Sequence, residues 1–456
     1  MKLFLLTIIS LIVIFSSPFS QAEGNIKNEA YVKSIFSATR KAWPVLEKVW
    51  ETDLYRKLRL VVADDKNAWA IDSENLIKIP YSEIQQRNLS VEYMHYQVIQ
   101  WPDGRPTLYV GLGTKLPYAE ESRFQSERNP VPEIFNVATH EAFHFFVQQN
   151  TWRKTESDDD SRATPFPVQA AERYYRNSII RALYAALDGT ENSLGHARYW
   201  FDLWKKLHPE DARLIRQTDI IEGSAKYIEV IAEVISQGNI LDTMEFQHAF
   251  TRKIKDDAIS IHTQSDSESY VIGALSGFIL NMKERGWQSR VAQGTPPLDI
   301  LLENTRPVAQ EGDKKVASEL EHEIKRMNTK LASAIDNFDK AYHYAGATRI
   351  LICSELSGSY SISQGFFRTE SIPHDLMVGL DSSAVWADGS YSLKQVVAAE
   401  IHNYSVCKDG DGFMIIYPGR IPPAKDGRLI LSTSKISLNI PYPENIDTNR
   451  TIYLMQ

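Results

Sequence analysis

A chain of 456 residues with 43% apolar side chains is long enough for two or three folded units, each with a core of its own. Its formal charge of -8 gives no overall basic field, which argues against nucleic acid as a partner and against adhesion to an anionic membrane surface. The two cysteines, Cys353 and Cys407, are too few and too distant to hold a metal ion by themselves.

Taken in chain order, the first 22 residues read as an export signal. Lys2 supplies the positive start, residues 3–15 an apolar core, and Ser20-Gln21-Ala22 a small-x-small cleavage site, so the mature chain is expected from Glu23. The apolar run is shorter than the roughly 20 residues that a membrane span needs. No second long apolar run follows, so no integral membrane segment is expected after removal of the signal. The expected location is a periplasm-like or extracellular space. There the simplest state of Cys353 and Cys407 is a disulfide, with two buried thiols as the alternative.

Residues 26–53 carry Ala30, Val32, Ile35, Phe36, Trp43, Val45, Leu46 and Val49 at helical spacing, the pattern of a packing helix. Short β-type runs at 58–62, 68–71, 76–79 and 107–112 predict a small sheet. Asn129-Pro130 marks a helix start, predicting a helix over 131–149. The acidic stretch 155–160 lacks the fixed ligand spacing of a calcium loop and reads as solvated. Three helices are predicted over 168–237, broken near Gly189 and His208, with further helices at 270–282 and 316–342. After Gly346 alternating runs at 350–353, 413–417 and 429–431 take over, separated by turn residues. The segment 408–412 reads as a hairpin turn among them. The expected organisation is α+β: a signal at 1–22, a catalytic unit at 23–345, and an all-β sandwich or barrel at 346–456.

The chemistry is concentrated in Thr139-His140-Glu141-Ala142-Phe143-His144, an HExxH motif inside an apolar helical run. Residues four apart share a helix face, so His140 and His144 can reach one metal ion while Glu141 lies over the same site. A catalytic zinc takes three protein ligands and leaves a position for water. The segment Ile221-Glu222-Gly223-Ser224-Ala225-Lys226-Tyr227-Ile228-Glu229 resembles the gluzincin metallopeptidases, in which a glutamate on a second helix completes the site. That resemblance puts the third ligand at Glu222. It also suggests that Glu229, seven residues on and on the same helix face, accepts the free N–H of a ligating histidine, with Asp219 as the competing candidate. Ser269-Tyr270-Val271-Ile272-Gly273 is similar to the YxxG segment of aminopeptidase N-like members, which implies that the Tyr270 hydroxyl stabilises the oxyanion.

Two departures shape the expectation. Glu222 lies much further from His144 than the third ligand does in the aminopeptidase N-like group, and no GxMEN segment is present to hold a free amino terminus. The resemblance therefore implies an exported Zn2+ metallopeptidase that cuts internal bonds of a peptide or protein, with Glu141 as general base. It also implies an extended substrate along a sheet edge, for which 108–113 is the expected run. The alternatives are a catalytically silent metallopeptidase-fold binding protein and a zinc amidase acting on cell-wall amides. The C-terminal unit would bind substrate, carbohydrate or another surface ligand, or cap the catalytic unit. The remaining histidines, among them His95, His262 and His322, fall at no ligand spacing and are expected to be structural or superficial.

Overall fold

The computed structural model describes residues 18–87, 89–126, 130–149, 152, 161–283, 286–353, 359–386, 388–402, 405–407, 410–442 and 451–454. Helix accounts for 49% of the chain and strand for 21%, a mixed α+β composition. Most of the expected signal, the acidic stretch at 155–160, Asn129, and Lys408 and Asp409 lie outside the described residues. Among the described residues no helix is long and apolar enough to cross a membrane.

Helix α1 (Pro18–Val49) buries Tyr31, Val32, Ile35, Ala42, Trp43, Leu46 and Val49, which recur every three or four residues and so form one stripe. It packs beside a five-stranded sheet in the order β3-β2-β1-β5-β4. The strands are β1 (Arg59–Ala63), β2 (Ala68–Ile71), β3 (Leu76–Ile79), β4 (Tyr96–Val98) and β5 (Thr107–Gly111). β1 and β5 pair in parallel, and both are buried along almost their whole length, which is why they read as continuous apolar runs. The expected substrate edge at 108–113 needs correction. β5 is an interior strand between β1 and β4, so the sheet edge on that side is β4, which pairs antiparallel to β5 through Tyr96↔Val110 and Val98↔Leu108. β4 is three residues long, too short for any alternation to show in the sequence.

The helical layer follows. Helix α2 (Glu133–Ala142) begins after Pro132, whose extended backbone precedes the first turn, and it runs directly into a π-helical segment, Phe143–Gln148. Helix α4 (Arg216–Ser236) packs against it, α5 (Ser265–Lys283) packs against α4, and α3 (Ala170–Leu187) packs against α5. α3 ends just before Gly189, whose φ of +73° suits a residue without a side chain. α4 is buried along most of its length and forms the centre of the main core with α1, α2 and α5.

Helix α6 (Lys314–His343) opens with the Asp313 side chain accepting from the backbone N–H groups of Lys315 and Val316. Its stripe of Leu320, Ile324, Leu331, Ile335 and Phe338 covers one face of the C-terminal sheet. That sheet contains nine strands, along the path β14 (Thr451–Leu454)-β7-β11-β10-β9-β8-β6, with β13 paired to β10 and β12 (Arg428–Ser432) paired to β13. The strands that matter below are β6 (Thr164–Pro165), β7 (Thr348–Cys353), β8 (Ser359–Arg368), β9 (Leu376–Trp386) and β10 (Gly389–Ile401). β10 pairs β13 (Ile436–Pro441) through its first half and β11 (Gly412–Tyr417) through its second, so the sheet bends over a core of its own and does not close into a barrel. Cys353 and Cys407 are joined in a disulfide with a Cα–Cα distance of 5.3 Å. β6 comes from the middle of the chain and adds to this sheet in parallel with β8, through Thr164↔Phe367 and Pro165↔Arg368.

Candidate metal centre

The α2 helix is pinned at the residue before the first motif histidine. The Trp43 indole N–H donates to Thr139 Oγ1 at 3.0 Å, and the Tyr55 hydroxyl donates to the Thr139 carbonyl at 3.1 Å. His140 is thereby held buried, and the π-helical turns that follow carry His144 and Gln148. Such turns are rare and concentrate at functional sites.

Three donor atoms converge. His140 Nε2 lies 2.9 Å from His144 Nε2, and each is 3.3 Å from Glu222 Oε2. Among the described residues these three form the one group of His, Cys, Asp or Glu with the spacing to hold a metal ion.

The atoms behind the donors set their protonation. His140 Nδ1 is 3.0 Å from Glu229 Oε2 and donates to it. His144 Nδ1 faces Gln148 Oε1, whose orientation is decided by the other end of the amide, because Gln148 Nε2 donates to the Ile221 carbonyl at 2.8 Å. With both Nδ1 atoms protonated, both Nε2 lone pairs point at one place beside a carboxylate oxygen. Two facing lone pairs repel unless a cation lies beside them, so this donor set fits a metal ion.

The acids and bases respond accordingly. Burial works against a charge on His140, yet the bonds to Glu222 and Glu229 outweigh it and raise the imidazole to about 10 when a proton serves as that cation. Burial would raise Glu222, but hydrogen bonds to His140 and His144 hold it well below the usual carboxylate range. Glu229 is treated the same way by Lys226, at 2.7 Å, and His140, and falls to about 2. Glu141 goes in the opposite direction, raised chiefly by burial, with the Tyr96 hydroxyl bonded to it. Tyr270 is raised by burial and by the charges of Glu222 and Asp266, so its phenol stays protonated.

A close helix crossing brings the second and third motifs together. Gly223 on α4 touches Gly273 on α5 so closely that a Cβ on Gly273 would lie 2.1 Å from the Gly223 Cα. Gly223 follows Glu222, and Gly273 lies one turn after Tyr270, so backbone contact at this crossing carries the carboxylate and the phenol to the same spot. Beneath it, Arg176 donates to both Asp219 oxygens at 2.7 and 2.8 Å, and Ser269 donates to Asp219 at 2.6 Å. Asp219 thus ties α3, α4 and α5 together and has no contact with the histidines, whereas Glu229 does.

Several contributors carry no sequence signal. Arg162, on the segment leading into β6, is 3.3 Å from Glu222 Oε1, 2.9 Å from Asp266 Oδ2 and 3.4 Å from the Tyr270 oxygen. It sits on a loop without periodicity. Gln148 is the exception, since it lies four residues after a motif histidine and so on the same helix face. A cavity of about 620 Å³ opens in front of the donors, with Tyr96, Glu141, Arg162 and Tyr270 on its wall. A second space of about 360 Å³ shares His140, Glu141 and Tyr270 with it. His95 borders the first and His262 the second.

Comparison of the chain with protein-family models, with curated proteins and with solved structures finds no match.

Proposed function

We propose that this chain is a zinc-dependent hydrolase of peptide bonds, acting on internal bonds of a peptide or protein outside the cytoplasm. The observation that carries the reading is the convergence of His140 Nε2, His144 Nε2 and Glu222 Oε2, with both imidazoles oriented by partners on their far nitrogens. Those three residues would hold the metal, and a bound zinc would acidify the attacking water and polarise the substrate carbonyl.

The remaining steps belong to the protein's own groups. Glu141 takes the proton of the attacking water and returns it to the departing amine. Its raised proton affinity suits that exchange better than an ordinary surface carboxylate would. Tyr270, kept as a neutral phenol, donates to the oxygen on which charge develops. The substrate backbone extends along the β4 edge, whose Tyr96 borders the cavity. Glu141 borders two separate spaces, room that supports action on internal bonds with chain on both sides of the cleaved one.

The test compares wild type with Glu141→Gln for zinc content and for cleavage of a mixed peptide library. About one zinc per chain is expected in both, with cleavage by wild type alone. A wild-type protein that holds zinc yet cleaves neither peptides nor cell-wall amides would overturn the assignment.

A further inference from the structure

The cavity in front of Glu141 has a wall supplied by the C-terminal sheet. Ile362 and Phe366 of β8 border it, facing Met94, Phe145, Trp152 and Ile221 of the helical unit. β8 is a long way from the motif in sequence, but three contacts hold it against the site. Thr164 and Pro165 pair with it in register. Gln264, at the start of the helix that carries Tyr270, donates to the Gln364 carbonyl at 3.0 Å. The Arg162 guanidinium lies 4.2 Å from the centre of the Phe366 ring while its nitrogens reach Glu222 and Asp266. A bulge between Ile362 and Gly365, with Gly365 at φ +109°, bends the strand where it meets the cavity. Phe367 is buried under α6 beside Phe166, so the two adjacent phenylalanines serve opposite faces of the strand.

The charges on this cavity are already used. Among the described lining residues the only carboxylates are Glu141 and Glu222, and the only guanidinium is Arg162, which Glu222 and Asp266 neutralise. The other polar side chains on the wall include His95, Gln149 and Gln217, so no carboxylate or guanidinium there is left over for a charged substrate side chain, whereas the apolar wall gains by covering an apolar one. We infer that this space is a specificity subsite for a bulky apolar side chain, walled by Ile362 and Phe366, so that peptides are cut beside an aromatic or large aliphatic residue. The assignment rests on the hydrolase reading for its chemistry and on the cavity wall for its selectivity. In this molecule the C-terminal sheet selects the substrate from within the active site.

Two measurements on the full chain test it, with zinc affinity by chelator competition and the melting temperature as controls. In the first, zinc-loaded wild type cleaves a mixed peptide library. Cuts are expected next to Phe, Tyr, Trp, Leu or Met, and Phe366→Ala should lower kcat/KM for those peptides roughly 10- to 100-fold through KM, with zinc affinity unchanged. Phe366→Leu, which keeps the packing, should retain most of the activity and shift the preference toward larger residues. In the second, Glu141→Gln binds an uncleaved aromatic peptide amide, and adding Phe366→Ala should weaken binding roughly tenfold or more. Cleavage with no apolar preference, or an equal loss for every peptide in Phe366→Ala, overturns the subsite and leaves the hydrolase standing. Binding that depends on Phe366 without any turnover by wild type overturns the hydrolase and leaves the subsite standing.

Discussion

Single side chains decide whether the two motif histidines act as ligands. Gln148 and Glu229 face the Nδ1 atoms and hold their protons in place so that the Nε2 atoms remain available. Replacing Glu229 with Gln is expected to weaken zinc binding roughly 10- to 100-fold while the fold persists, and Gln148→Ala to do the same to a similar degree. Chelator competition measures both, and an affinity equal to wild type in the two variants would show that neither residue orients a ligand. Lys226 is part of the same arrangement, since its ammonium at 2.7 Å keeps Glu229 ionised next to His140. The four-residue spacing makes the histidine pair legible in the sequence, and the seven-residue spacing suggests Glu229. Arg162 is illegible, because a lone arginine on a loop acquires meaning only when folding brings Glu222, Asp266 and Phe366 around it.

Among elements, the α4–α5 crossing carries the greatest constraint. Gly223 and Gly273 meet backbone to backbone, and both helices are deeply buried, so neither can slide aside cheaply. Gly273→Ala is therefore expected to cost about 2 kcal/mol or more in stability and to lower kcat through displacement of Tyr270. Melting and turnover measured together would check this, and an alanine accepted with no loss in either would mean that the crossing does not position the site. The Glu222-Gly223 segment and the Tyr270-Val271-Ile272-Gly273 segment are legible in the sequence as two separate resemblances, and their glycines meet in the structure, each making room for the other. Strand β4 marks the limit of periodicity as a guide. With three residues it shows no alternation, and the strongly apolar β5 beside it, interior and buried throughout, stands out instead.

For the molecule as a whole, a buried charge network ties the helices together beneath the site. Arg173 and Arg176, both fully buried, flank Glu268 at 2.5 and 3.2 Å. Burial raises Glu268 against the pull of the two guanidinium groups, to about 8. A carboxyl raised in this way contributes stability that is fully present below its ordinary value of 4.5 and is lost as pH rises toward 8. Glu268→Gln should consequently flatten the dependence of melting temperature on pH across that window, by on the order of a few degrees relative to wild type. Parallel slopes for the two proteins would contradict it. The α+β composition and the change to strand-rich sequence near Gly346 are legible from periodicity. The two-residue strand that joins the central segment to the last third of the chain is not, because nothing in Thr164-Pro165 distinguishes it from a loop.

That short strand also bears on the order of events during synthesis. A chain emerging from its amino terminus has the histidines, Glu222, Tyr270 and the polar partners of Arg162 long before β8 exists, so the Phe366 contact of Arg162 and the far wall of the cavity form only after β8 has appeared. A nascent or truncated product would carry the reactive groups without the wall that admits and selects a substrate. On the proposed reading competence would then arrive late, with the last third of the chain as the piece that closes the cavity.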